Sequence, residues 1–281
     1  MVRGRLLERW RAALKVAKIQ SEVYGSWGSV SGAFFGHVWN NARIQVPSIG
    51  GLPVKDPTFD PYNVWMALDW GTRAPSSLLL AYRIPEASWW GGKYLGAGSV
   101  VLVDEVYTSL STPDGSRQWN EGDRTLTTTR MAELAKRLCH RNGIELGHVP
   151  RRHRVMDAAL GAEIGHKDGS IGHQLAVAGA GFIAAPKGRR APGWALIARM
   201  LEAAGDPSVP ALYATPEVES FWATVPALTY SERDPEDLRT DGPDHTADAL
   251  RYLLMAMADR RHSYRTGPAD GQGGRPYFTT Y

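Results

Sequence analysis

Three runs of consecutive apolar residues stand close together in the first half of the chain: "VWMALDWG" (64–71), "SSLLLAYRI" (76–84) and "SVVLVDEVYT" (99–108). Short apolar runs bounded by turn residues read as buried strands. The links between them, "TRAP" and the glycine-rich "ASWWGGKYLGAG", are short, which suits antiparallel neighbours. After them the period changes. Residues 125–143 set Met131, Leu134, Ala135 and Leu138 on one helical face and stop at Gly143. A strand at 153–160, a helix at 171–180, a strand at 181–186, a helix at 193–205 and a strand at 211–215 follow. A mainly helical stretch at 217–228 comes next, and a helix opening in "DGPDHTADALRY" (241–252) closes the series.

Outside this core the pattern is looser. Residues 5–24 place Leu6, Leu7, Trp10, Leu14, Val16 and Ala17 at roughly helical spacing, so a leading helix is expected there. Residues 25–63 are dense in Gly, Pro and Asn and read as an irregular connector rather than as domain core, ordered only if their aromatics pack. The polar, aperiodic end of the chain reads as a mobile tail. The expected organisation is a leading helix and linker (1–62), one main domain (63–262) and a flexible tail (263–281). No internal repeat is visible. A meander followed by alternating helices and strands predicts an α/β fold with a mixed sheet and helices on its faces. In such sheets ligands sit beyond strand ends and at topological switch points.

Composition narrows the class. With 281 residues and 43% hydrophobic content, the chain is long enough for a substantial core. A net charge of +3 permits nucleic acid as a partner without requiring it. The single cysteine, Cys139, cannot form an intrachain disulfide or build a zinc site alone, which fits a reducing cytosol. No apolar run is long enough to span a bilayer, so no membrane partner is expected.

The candidate chemistry lies in carboxylates. Asp69 ends an apolar strand just before Gly71, a costly position for a charge unless it is paired or metal-bound. It also suits an aspartate that simply starts a turn. Asp157 repeats the arrangement in "HRVMDAAL", where it could equally cap a helix. In the closing helix Asp244, His245 and Asp248 fall on one side of the first turns. The simpler alternative makes Asp244 an N-cap and pairs Asp248 with Arg251 or Tyr252. Carboxylates converging from two strand ends and a helix terminus would form an oxygen-rich site for Mg2+ or Mn2+, and His245 could join it. Two such ions, one activating water and one stabilising the leaving oxygen, would hydrolyse a phosphodiester. Asp104 and Glu105 are weaker candidates: they point to opposite faces of their strand, so at most one can face the site, and ordinary surface charges are the simpler reading. His153 and His166 read as loop histidines rather than ligands.

These residues, in this order, resemble the nuclease domain of phage terminase large subunits. "ERWRAALKVAKIQSEVYGSWGSVSGAFFGHVW" is similar to the segment leaving that family's ATPase domain, and "MALDWGTRAPSSLLLAY" to its first nuclease strand, with Asp69 as the catalytic acid. "RVMDAALGAE" resembles the second acidic motif, "PKGRRAPGWALIARMLE" the basic segment and helix after it, and "GPDHTADALRYLLM" the closing motif. The likeness spans roughly residues 5–258. It implies an RNase H-like fold, of three antiparallel strands and then alternating helices and parallel strands, and two-metal cleavage of double-stranded DNA with Asp69, Asp157, Asp244 and Asp248 as catalytic ligands. His245 stands where many members carry a second Asp. No G-x-x-x-x-G-K-S/T phosphate loop occurs, so the ATPase would lie elsewhere, on a longer polypeptide or a separate one.

Basic residues complete the expectation. Arg151 and Arg152 precede Asp157, Lys187, Arg189 and Arg190 follow the next strand, and Arg73 lies close behind Asp69. All six are expected near the site, contacting phosphates in a sequence-independent, salt-sensitive way. The resemblance implies as partners double-stranded DNA, the ATPase domain, the portal protein and the small terminase subunit, with the protein working in the host cytoplasm at the procapsid portal. A junction resolvase and a catalytically silent DNA- or portal-binding module are the alternatives.

Overall fold

The computed structural model describes residues 33–162, 169–186, 188–234, 236–239 and 241–259. The expected leading helix, the tail, His166 and Lys187 lie outside the described residues.

Three strands form the centre of the molecule: β1 (Val64–Asp69), β2 (Ser77–Arg83) and, after a small hairpin, β5 (Val100–Tyr107). They pair antiparallel, β1 with β2 and β2 with β5. The hairpin joins β3 (Ser88–Trp90) to β4 (Lys93–Leu95), and Gly91 and Gly92 turn it at φ 55° and 91°. That backbone favours glycine. A second hairpin, β6 (Ser109–Ser111) with β7 (Arg117–Gly122), follows β5. Parallel strands then extend the sheet: β8 (Arg154–Met156) beside β1, β9 (Ile183–Ala184) beside β8, and β10 (Leu212–Ala214) on the outer edge of β5. The order β10-β5-β2-β1-β8-β9 is the expected mixed sheet, three antiparallel strands and then parallel ones, extended by the edge strand β10.

Helices cover both faces. They are α1 (Asn41–Ile44), α2 (Thr128–Arg141), α3 (Ala159–Ala162), α4 (Ile171–Val177), α5 (Arg190–Glu202), α6 (Glu219–Thr224) and α7 (His245–Ala258). Strand alternation assigns the faces. Met66 looks toward α2, where its sulfur meets Cys139 Sγ at 3.6 Å, and Asp69 looks toward α7, where it meets His245. Because both faces are covered, β1 and β2 are buried almost throughout, and their unbroken apolar runs follow from that. Among the described residues no helix is long and apolar enough to cross a membrane.

The connector before β1 differs from its sequence reading. Phe35, Ile44 and Val46 are fully buried and belong to the same core as the strands. Phe34 N–H bonds to Leu228 O at 2.7 Å and Val46 N–H to Ala214 O at 3.0 Å, so this segment docks backbone as well as side chains. Its Gly and Pro content hides a handful of apolar anchors too widely spaced to show a period.

Candidate active site

The parallel pairing of β1 with β8 brings two acids to one end of the sheet. Leu68 is level with Met156, so Asp69 and Asp157 both lie at the C-terminal ends of their strands. The N-terminal turn of α7 covers that end. His245 Nδ1 stands 2.8 Å from Asp69 Oδ2, and the Tyr252 hydroxyl donates to Asp157 Oδ2 at 3.0 Å. The other oxygen of Asp157 accepts the Ala159 N–H at 2.9 Å, an Asx-turn contact just before α3.

Asp244 occupies the N-cap position of α7 without making a side-chain cap bond. Its carboxylate turns inward to Arg190, whose Nη2 lies 3.2 Å from Asp244 Oδ2 and 3.1 Å from Asp248 Oδ2. Asp248 Oδ1 accepts from Arg251 Nε and Nη2 at 2.9 and 2.7 Å. Thus the local Asp248–Arg251 pair does form, but a second arginine from α5 joins it. Arg190 also reaches Asp237 Oδ1 at 3.5 Å and lies over the Trp194 ring, 5.0 Å from its centroid. Asp237 in turn accepts the Trp194 indole N–H at 2.7 Å.

Burial governs the charges here. It raises the Asp69 pKa; the bond from His245 opposes that, and the charges of Asp248 and Asp157 add to it. Burial, reinforced by Asp248, pushes Asp244 up to about 6, against the pull of His245 and Arg190. Burial disfavours the charged forms of His245 and Arg190 as well. The surrounding acids outweigh it and hold both above their ordinary values. The cluster is therefore an acid-rich, partly desolvated site in which cations are stabilised. Its oxygen donors, with one imidazole, match the chemistry of a hard or borderline divalent ion. As the side chains stand, among the described residues no group of three or more His, Cys, Asp or Glu is set to hold a metal ion. Two arginines take up the carboxylates of α7 instead.

Several basic residues fall elsewhere than expected. Arg151 and Arg152 lie just before β8, at the opposite end of that strand from Asp157, and Arg152 stacks over Tyr62, 5.2 Å from its ring centroid. A cluster that precedes a strand emerges at its N-terminal end, which is why nearness in sequence misled. His153, beside them, stacks on Trp65 with centroids 3.9 Å apart. Arg190 is committed to the acids rather than free for phosphate. Arg189 is open to solvent, 3.9 Å from Glu236, and Arg73 is exposed in the turn after β1. Asp104 and Glu105 do point to opposite faces, but neither is an ordinary surface charge. Asp104 bonds Arg141 and Asn142, while Glu105 is buried against Ser220, accepting its N–H at 2.7 Å and also contacting its hydroxyl. Sequence reading missed Asp237, Tyr252 as the partner of Asp157, and Ser220. Only the "RR" of "PKGRR" signalled a cation at α5, with nothing to indicate its direction.

Comparison with protein-family models finds no match, and neither does comparison with curated proteins. Among solved structures, the large terminase of a thermophilic bacteriophage superposes with a TM-score of 0.52 at 14% identity, over 79% of this chain. The chain shares its fold with part of that large terminase. It spans 44% of that terminase chain. The P22 large terminase nuclease domain aligns at a TM-score of 0.48 and 14% identity, over 82% of this chain and 93% of that one. The large terminase nuclease of the thermophilic phage G20c, whose structure holds cobalt, aligns at 0.46 and 11%, over 80% and 97%. Of the three, the first carries the fold assignment.

Proposed function

We propose that this chain is the metal-dependent endonuclease part of a phage DNA-packaging terminase, cutting concatemeric double-stranded DNA when packaging starts and ends. The observation that carries the reading is that Asp69 and Asp157 end neighbouring parallel strands while the first turn of α7, behind Asp244, packs His245 against Asp69, with burial raising the pKa of Asp69 and Asp244. Mg2+ or Mn2+ held there as a pair would supply Lewis acidity that activates water and offsets charge on the phosphate. Asp69, Asp157 and Asp244 are the residues we assign to hold the ions, with Asp248 completing the set. His245 orients Asp69 through its 2.8 Å contact, and Tyr252 orients Asp157. Arg73 and Arg189, both exposed, would bind phosphates of the duplex, with Arg151 and Arg152 touching DNA further along its path. The ATPase domain, portal protein and small terminase subunit are the proposed partners, at the procapsid portal in the host cytoplasm.

Plasmid cleavage tests this. Wild type should nick supercoiled DNA with Mn2+ or Mg2+, and Asp69→Ala should lose that activity. Equal nicking by both, or none by wild type in either metal, would reject the assignment in favour of a silent DNA-binding module.

A further inference from the structure

We propose that Arg190 is the resident counter-cation of the acid cluster, and that a divalent ion enters the site by displacing it. The inference rests on the metal-site reading above and deepens it by naming what the ion must exchange with. One nitrogen, Arg190 Nη2, touches Oδ2 of both Asp244 and Asp248, at 3.2 and 3.1 Å. These carboxylates are one helical turn apart on α7, so the guanidinium spans the gap that an ion shared by them would fill. An ion liganded by both oxygens at about 2.1 Å takes the same space as that nitrogen. The two cations also repel in a partly desolvated site, so they exclude one another on charge as well as on volume.

The surroundings let the exchange happen at low cost. Asp248 keeps Arg251 on its other oxygen, at 2.7 and 2.9 Å, so losing Arg190 does not leave it without a cation. Arg190 keeps two contacts outside the cluster, Asp237 at 3.5 Å and the face of Trp194 at 5.0 Å. The guanidinium therefore has a place to settle when Nη2 lets go. Both acids exchange Arg190 for the ion, and Asp248 keeps Arg251 on its other oxygen.

Calorimetric titration of Mn2+ alone into the full chain tests this in wild type, Arg190→Gln and Arg190→Lys, with circular dichroism to show that each is folded. Arg190→Gln should bind Mn2+ at least about tenfold more tightly than wild type, the equivalent of about 1.4 kcal/mol, and Arg190→Lys should stay near wild type. Unchanged or weaker binding by folded Arg190→Gln, with wild type binding normally, overturns this inference alone. No binding by any of the three overturns the metal site with it. A second measurement does not depend on the variant folding. In wild type, the Arg190 Nε–Hε nuclear magnetic resonance signal should move or broaden as Mg2+ is added while that of Arg251 stays. An Arg190 signal that does not respond to bound Mg2+ also overturns the inference.

Discussion

The hydroxyl of Tyr252 donates to Asp157 Oδ2 at 3.0 Å, tying the second turn of α7 to the end of β8. Tyr252 is 7% exposed, and burial is the main cause that raises its pKa, so it stays a neutral donor through the working range. The acid is thereby held from both sides, by the phenol on one oxygen and by the Ala159 N–H on the other.

Tyr252→Phe removes this donor and keeps the packing. We expect a loss of about 1 kcal/mol in urea unfolding, the ordinary worth of one such bond. DNA nicking should fall severalfold, because Asp157 then keeps only its backbone anchor. Unchanged nicking would show that Tyr252 does not position Asp157.

Asp248→Asn takes the charge from an acid that faces two arginines, with side chains only 12–25% exposed across the three residues. Breaking a mostly buried ion pair leaves uncompensated charge, so stability should fall by about 3 kcal/mol. Asp241→Asn, which removes the exposed pair with Arg239, should leave the unfolding midpoint unchanged. Equal effects of the two substitutions would contradict the burial argument.

Glu105 supplies a pH signature. Burial, outweighing its bonds from Ser220, raises its pKa from 4.5 to about 7. The folded state therefore binds this proton more tightly than the unfolded chain does. The resulting stability is full below pH 4.5 and is lost as pH rises through about 7. The whole change is at most about 3 kcal/mol. Glu105→Gln lacks the titration, so its melting temperature should gain on that of wild type between about pH 5 and 8. Parallel melting curves for the two across that range would show that Glu105 does not titrate there.

Gly71 lies two residues after Asp69, beyond the end of β1, and a Cβ on it would collide with the backbone oxygen of Ala74. Backbone cannot yield cheaply, so Gly71→Ala should cost about 2 kcal/mol and shift the turn that leads out of Asp69. Mn2+ affinity, measured by titration, should fall with stability. A variant with wild-type stability and affinity would show that the turn relaxes freely.

The long strands were legible because coverage on both faces makes β1, β2 and most of β5 continuous apolar runs. The hairpins β3–β4 and β6–β7 were not, since their residues are largely exposed and carry no period. Glu105 illustrates a different limit. Alternation told correctly that it and Asp104 part company, but not that α6 would bury it against Ser220. Burial of a charged residue depends on what packs over the strand, and α6 comes far later in the chain.

By itself, the sequence determined that Asp69 would close an apolar strand and that Asp244, His245 and Asp248 would share the start of one helix, while the strand it ran over 153–160 ends at Met156, just before Asp157. Those are consequences of periods of two and 3.6 residues, which act over a few neighbours. Only the tertiary structure decided the partners. Arg190 meets Asp244 and Asp248 across separations of 54 and 58 residues, and the basic cluster before β8 leaves by the opposite end of its strand. Charge says that an arginine seeks an acid. Which acid it finds depends on how α5 and α7 pack together, and that is a property of the assembled core.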